Sequence, residues 1–210
     1  MRALILAALM AAAPAAAQPA REQALADLGR ADDVAARRAA VQRLADEGSM
    51  ADLPALVGAL RDPDPLVRAF TESAMWSVWS RSGDAEIDRL FAIGVEQMSQ
   101  RALGAAVETF SEVIRRRPEF AEGWNKRATV YFLLGEYGKS LADCDEVMSR
   151  NAYHWGALSG YGMIYIQLEQ PDRALGYLEK ALAVNPNLDQ VRQTIELLKA
   201  LLIQRRRDMI

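Results

Sequence analysis

Small and apolar residues recur every 34 positions through the middle of the chain, and this period predicts stacked helical hairpins. Small side chains allow the two helices of a hairpin to approach closely and allow neighbouring hairpins to pack on the same seam. The columns are Gly94, Ala128 and Gly162; Ala106, Ser140 and Ala174; and Val113, Val147 and Ala181. We therefore expect an all-α fold over residues 84–187, with three units at about 87–120, 121–154 and 155–187.

Larger residues occupy the columns between the small ones, and the turns between units follow the same period. These columns are Leu90, Trp124 and Leu158; Gln97, Tyr131 and Tyr165; Phe110, Cys144 and Leu178; and Pro118, Ala152 and Pro186. In this pattern the sequence resembles the tetratricopeptide repeat (TPR) family. The first unit is the most divergent, because Gln97 replaces the usual aromatic residue and its turn lacks glycine. The resemblance implies a right-handed α-α superhelix, or solenoid, with a concave groove lined by the first helix of each unit.

A second helical region precedes the repeats, at residues 33–83. The stretch LPALVGALRDPDPLVRAF resembles a HEAT repeat, because its prolines suit a turn and a first helical position. A single unit of this kind cannot bury both of its faces, so we expect it to pack on the first TPR-like unit and extend the solenoid. Trp76 and Trp79 are predicted to pack at that junction, and a ligand-facing aromatic pair is the alternative.

The last segment, 188–210, is predicted to be a helix that caps the repeats. Its apolar residues at helical spacing would cover the exposed end of the third unit. They are Leu188, Val191, Ile195, Leu198 and Leu202. Leu197, Leu201 and Ile203 widen this apolar surface, so homo-oligomerisation through the C-terminal helix is an alternative role.

The first 17 residues have the pattern of a signal peptide. Arg2 precedes an apolar run from Ala3 to Ala13, and small residues up to Ala17 suit a cleavage site. The run is shorter than the roughly 20 residues that a membrane-spanning helix needs. We expect a periplasmic or secreted protein after cleavage near Ala17, with residues 18–32 as a linker and no membrane span in the mature chain. An uncleaved anchor is the alternative.

The net charge and the reactive side chains limit the classes of function that the protein can have. The chain has 25 basic and 28 acidic residues, a net charge of −3, which argues against a nucleic-acid surface. His154 and Cys144 are single residues of their types, and that gives no metal-ligand spacing. His154 is predicted to cap a turn and Cys144 to be a buried thiol. We therefore expect no catalytic residues, no metal, no cofactor and no enzymatic activity.

The resemblance to the TPR family implies a groove that binds part of another protein. The corresponding positions are Phe91, Val95, Met98, Asn125, Lys126, Thr129, Phe132, Leu133, Ser159, Met163 and Ile166, and Glu122 is expected to face the same groove. Chaperone-binding members hold a carboxylate with basic and amide side chains, but only Lys126 occupies such a position here as a possible anion ligand. Gly156 and Gly160 allow close approach of either a ligand or a neighbouring helix.

These observations lead to one functional hypothesis and two alternatives. The protein is predicted to be a non-catalytic adaptor of the cell envelope that binds an apolar peptide or helix of another envelope protein. In the first alternative it is a structural scaffold that self-associates, with the groove filled by the chain itself. In the second it is a subunit of an envelope enzyme complex.

Overall fold

The computed structural model describes residues 17–208, and within them the chain is helical and contains no β-strand. The helices are α1 (Ala17–Leu28), α2 (Val34–Glu47), α3 (Leu53–Ala59), α4 (Pro65–Trp79), α5 (Ala85–Ser99), α6 (Leu103–Arg116), α7 (Ala121–Leu133), α8 (Tyr137–Arg150), α9 (Trp155–Gln167), α10 (Pro171–Val184) and α11 (Asp189–Asp208). A 3₁₀ turn, Met50–Asp52, precedes α3. The all-α prediction is confirmed.

Two sequence predictions concern the beginning of the chain. Most of the predicted signal peptide lies outside the described residues. The predicted linker at 18–32 is wrong for most of its length, because α1 covers residues up to Leu28. Among residues 17–208, no helix has the length and apolar character needed to cross a membrane.

The three predicted units are present as the hairpins α5–α6, α7–α8 and α9–α10, and the solenoid is confirmed. Each hairpin closes where a small residue on its first helix faces a large one on its second. A Cβ atom added to Gly94 would lie 2.6 Å from Phe110, and one added to Gly162 would lie 2.4 Å from Leu178. Real Cβ atoms do not approach other atoms so closely, so glycine is required at both positions for this packing.

The turn inside each hairpin uses a left-handed backbone conformation at the same repeat position. The residues are Arg101, Gly135 and Glu169, with φ angles of 60°, 74° and 55°. Only the second unit has glycine there, where this conformation carries no steric cost. The turn geometry is therefore conserved along the solenoid although its preferred residue is not.

Helices α1–α4 pack around a shared apolar core, and we call these four helices the N-terminal unit. The carboxylates of Asp64 and Asp84 accept hydrogen bonds from the first amides of α4 and α5, which fixes where these helices begin. Arg37 on α2 pairs with Asp62 at 2.8 Å, and both side chains are more than nine-tenths buried. This pair fixes the α3–α4 turn against α2. The proposed likeness of residues 33–83 to a HEAT repeat stays a prediction.

The N-terminal unit does not extend the solenoid from its first hairpin, so that prediction is wrong. Ile93 on α5 is 52% exposed. The equivalent residues in the next two hairpins are Arg127 and Tyr161, and each contacts the helix that precedes its own. Arg127 donates a hydrogen bond to Ser111 on α6, and Tyr161 donates one to Asp145 on α8. Because Ile93 has no such cover, the place before α5 is not filled by α4.

Instead, the N-terminal unit packs on the third hairpin. Its core is continuous with Trp155 and Leu158 of α9 and with Ala181 of α10. Polar contacts reinforce this docking at the turn after α10. Arg61 donates to the carbonyl of Ala183, and Asn187 Nδ2 donates to the carbonyl of Leu60 at 2.8 Å. Trp79 of α4 lies 4.3 Å from the Trp155 ring and stacks on His154 at the start of α9, which holds the N-terminal unit on the third hairpin.

Helix α11 covers the third hairpin on its far side. Ile195 and Leu198 are 2% and 7% exposed and belong to the core formed with Leu178. Leu197, Leu201 and Ile203 remain 72%, 43% and 54% exposed. The helix therefore caps the repeats with one face and presents apolar side chains on another.

We predict that Gly162→Ala lowers the free energy of unfolding by about 1–3 kcal/mol, because its Cβ would displace the fully buried Leu178. Urea unfolding followed by circular dichroism measures this change. Gly176→Ala in α10 is the matched control, since no atom lies within 4 Å of its added Cβ. It should be neutral or stabilising by about 1 kcal/mol at most. Equal stability of the two variants would contradict the packing of this seam.

Candidate functional site

A cleft of about 130 Å³ lies between the first helices of the second and third hairpins. Its walls come from α7 and α9, and its floor comes from α8. The lining residues are Asn125, Ala128, Thr129, Phe132, Ser140, Cys144, Gly156, Ala157, Gly160, Met163 and Ile164. Asn125, Thr129, Phe132 and Met163 are thus brought together, as the resemblance to the TPR family implies.

The polar side chains of the cleft are already engaged within the protein. The Thr129 hydroxyl donates to the carbonyl of Asn125 at 3.0 Å, and the Ser140 hydroxyl donates to the carbonyl of Ala128 at 2.8 Å. Asn125 Nδ2 donates to the Glu122 carboxylate. The cleft is therefore suited to an apolar group, because it offers Phe132, Met163 and small side chains rather than free donors.

The two glycines at the start of α9 have different roles. An added Cβ at Gly156 would lie 2.9 Å from the Trp76 ring of α4, so this glycine makes room for a neighbouring helix. An added Cβ at Gly160 would meet only Cys144 Sγ, at 3.6 Å, which is an ordinary contact. Gly160 therefore shapes the cleft, and Gly156 accommodates the N-terminal unit.

The other residues that were predicted to line the groove do not line the cleft. Phe91 is buried in the first hairpin against Phe110 and Phe120, so it contributes little to the groove surface. Val95 and Met98 are half-buried beside that core, and Ile166 is half-buried beside the core of the third hairpin. Leu133 is 55% exposed, Ser159 is half-buried, and neither lines the cleft.

Lys126 lies at the end of the cleft next to the N-terminal unit. Its ammonium is 5.8 Å from the centre of the Trp76 ring and 3.7 Å from Glu122 Oε2. Trp76 is thus a neighbour of the groove that was not among the predicted groove residues. The spacing of Trp76 and Trp79 indicated packing, but it did not indicate which hairpin they contact.

Glu122 is fully buried instead of facing the groove, which corrects that expectation. Its Oε1 lies 2.5 Å from His154 Nε2, and both side chains are 0% exposed. His154 also caps α9, because its Nδ1 accepts a hydrogen bond from the amide of Ala157 at 3.0 Å. Since Nδ1 accepts, the ring proton is on Nε2 and is donated to Glu122. The predicted capping role of His154 is confirmed.

The environment of Glu122 favours its charged form. Burial alone would raise the pKa of Glu122, but the hydrogen bond from His154 and the positive charge of Lys126 outweigh it, so this pKa lies below its ordinary value. Asn125 Nδ2 contributes two further contacts of 3.1 Å. A buried carboxylate is therefore compensated by three neighbouring side chains.

Aromatic rings from α4 complete this buried cluster. The Trp79 ring stacks on His154 with centroids 4.5 Å apart, and it lies 4.3 Å from the Trp155 ring. Trp76 contacts both tryptophans edge-on, at 5.0 and 5.7 Å. Such pairs stabilise beyond the area that they bury. The cluster joins the N-terminal unit to the start of α9.

Cys144 forms part of the floor of the cleft. It is 2% exposed, and burial together with the neighbouring Asp143 and Asp145 raises the pKa of its thiol to about 12. The prediction of a buried cysteine is confirmed, and the thiol is largely protonated at neutral pH.

Comparison with known proteins agrees with this geometry. Residues 155–188, which contain the third hairpin, match the family model of the tetratricopeptide repeat. The third hairpin is therefore similar to a tetratricopeptide repeat. A TPR repeat-containing protein of Rhizobium etli is 32% identical over 126 residues, 60% of this chain and 61% of that protein. The chain therefore spans about three fifths of this relative's length.

Two solved structures share the fold of the repeats. The TPR domain of Sgt2 from Aspergillus fumigatus superposes with a TM-score of 0.56 at 19% identity, covering 59% of this chain and 83% of that one. The first TPR domain of Spaghetti, solved with an HSP90 peptide, gives 0.54 at 20% identity, covering 57% of this chain and 96% of that one. At these identities the likeness establishes the fold alone.

We predict that Glu122→Gln destabilises the protein at neutral pH by about 1–3 kcal/mol, because it removes a charge that three side chains compensate. The folded-state pKa of Glu122 is lowered, so its contribution is complete above the unfolded value of about 4.3 and is lost as the pH falls through the folded value. The difference between wild type and variant should therefore shrink below about pH 4.

Urea unfolding at several pH values measures this difference. Glu108→Gln, on the exposed face of α6, is the control and should leave stability within about 0.5 kcal/mol of wild type at each pH. A difference for Glu122→Gln that does not change with pH would contradict the assignment of a charged carboxylate.

Proposed function

We propose that the protein is a non-catalytic adaptor that binds an apolar segment of another protein in the cleft between α7 and α9. The observation that carries this proposal is the apolar cleft with its hydroxyl donors already used, which suits one large apolar side chain of a partner. Such a side chain would contact Phe132 and Met163, and the partner backbone would follow the concave surface as an extended peptide or a helix.

The fold supports a binding role, because related repeats present the same surface. The Spaghetti domain was solved with an HSP90 peptide, and a repeat domain of yeast Sti1 was solved with an Hsp70 segment. The mode of recognition proposed here is different. The charge of Lys126 is already compensated by Glu122 at 3.7 Å, so we expect that it does not hold a carboxylate as in chaperone-binding domains.

We also propose that the protein acts in the cell envelope, in the periplasm or outside the cell. This rests on the signal-like pattern of residues 1–17, with Arg2, an apolar run and small residues before the cleavage point. The partner is accordingly expected among envelope proteins.

We predict that Phe132→Asp weakens binding of the partner, because a carboxylate in the cleft would be desolvated without a compensating donor. The wild-type protein is used to capture partners from an envelope fraction, and each candidate identified by mass spectrometry is purified and titrated directly. The affinity of the variant should fall at least about tenfold, which corresponds to roughly 1.4 kcal/mol.

Leu134→Asp is the matched control, because Leu134 is 43% exposed at the end of the same helix and does not line the cleft. This variant should bind with wild-type affinity. If the two variants weaken binding equally, or if neither does, the cleft is not the binding site.

A scaffold that self-associates is the second candidate function, and the exposure of Leu197, Leu201 and Ile203 on α11 favours it. The adaptor proposal predicts a constant monomer mass in light scattering over a concentration series. A mass that rises with concentration, and returns to that of the monomer in Leu197→Glu, would favour the scaffold instead.

A further inference from the structure

A second cavity, of about 150 Å³, lies where the N-terminal unit meets the turns between the hairpins. It is lined by Trp79 and Arg81 at the end of α4, by Arg117 and Phe120 before α7, and by Asn151 after α8. None of its lining residues belongs to the cleft between α7 and α9. This junction cavity is therefore a separate site, and its chemistry does not depend on the proposed adaptor function.

Three buried donors line the junction cavity without a hydrogen-bond acceptor among the described residues. They are Trp79 Nε1, Asn151 Nδ2 and Arg117 Nε, and Trp79 and Asn151 are each 3% exposed. The orientation of the Asn151 amide is fixed, because its Oδ1 accepts a hydrogen bond from the amide of Tyr153 at 3.1 Å. Its Nδ2 is thereby left as a donor. Buried donors in folded proteins are nearly always paired, so we expect a hydrogen-bond acceptor to occupy the cavity.

The electrostatic environment of the cavity favours an acceptor with negative charge. Arg81 and Arg117 both line it, and the Arg81 guanidinium is held in place by donating to the carbonyls of Ala45 and Gly48. The carboxylate of Glu119 also lines the cavity, 3.0 Å from Arg117 Nε. Two positive charges thus oppose one negative charge.

The N-terminus of α7 adds to this field. Phe120, which precedes the helix, provides no side-chain cap for its first amides, and both Phe120 and Ala121 line the cavity. Uncapped amides and the helix dipole favour an anion at this end of a helix.

Met50 and the Phe120 ring give the lining an apolar part, and the Ser82 hydroxyl beside them already donates to the Asp88 carboxylate. We propose that the junction cavity binds a small monocarboxylate. Its carboxylate accepts hydrogen bonds from Trp79 Nε1 and Asn151 Nδ2, and its short apolar tail lies against Met50 and Phe120. An inorganic oxyanion such as phosphate has no apolar part and leaves these walls unused.

The test is a titration of the full ¹⁵N-labelled chain with propionate, followed by NMR of the tryptophan indole N–H signals. The Trp79 signal is assigned with Trp79→Phe, which removes the donor but keeps a ring to stack on His154. We expect a saturable shift of the Trp79 signal with propionate. Propionamide, which has the same shape without the charge, and inorganic phosphate should bind at least about tenfold more weakly.

The chain offers a matched pair of variants for the second donor. Asn151 and Asn185 occupy the same repeat position, 34 residues apart, and Asn185 Oδ1 accepts the equivalent hydrogen bond from the amide of Asn187. Asn151→Asp keeps the turn acceptor but replaces the donor with negative charge, so propionate affinity should fall at least about tenfold. Asn185→Asp makes the same change outside the cavity and should leave the affinity unchanged.

Four results would overturn the proposal. These are no saturable shift with propionate, equal binding of propionamide, tighter binding of phosphate, and wild-type affinity in Asn151→Asp. The first of them would mean that water alone satisfies Trp79 Nε1 and Asn151 Nδ2. None bears on the cleft between α7 and α9, because that proposal is tested through Phe132.

Discussion

The stacking of Trp79 on His154 is the contact on which the arrangement of this protein depends. It joins α4 to the start of α9, residues that are 75 positions apart in the sequence. Through His154 it also reaches Glu122, whose buried charge is acceptable only because its partners are held in place. The same contact places Trp76 at the end of the cleft and Trp79 Nε1 beside the junction cavity.

Charged and apolar side chains form two separate groups that lie close together on the concave face. Glu122, Asn125, His154 and Lys126 satisfy one another at the end covered by α4. Further along α9, Gly160 and Met163 line the apolar cleft. The cleft therefore presents an apolar surface next to a closed polar cluster. Shared architecture does not imply a shared ligand.

The repeats could be predicted in detail because their determinants are local and periodic. Gly94 and Gly162 indicate close packing against the following helix, and the structure places Phe110 and Leu178 there. Asn125, Thr129, Phe132 and Met163 come together because register along one helix fixes which side chains share a face. Phe91 follows the same register but is buried, since the divergent first hairpin packs it against Phe110 and Phe120.

The sequence by itself determined the helices other than α1, the three hairpins, the capping helix and part of the register of the concave surface. It also indicated that Trp76 and Trp79 pack. Only the tertiary structure decided that they pack on the third hairpin, that Glu122 is buried against His154, and that Gly156 makes room for Trp76. The physical reason is that spacing specifies contacts within and between neighbouring helices. The docking of a separate unit depends on the complementary shape and the desolvation of two surfaces whose residues are far apart in the chain. A periodic sequence pattern does not contain this information.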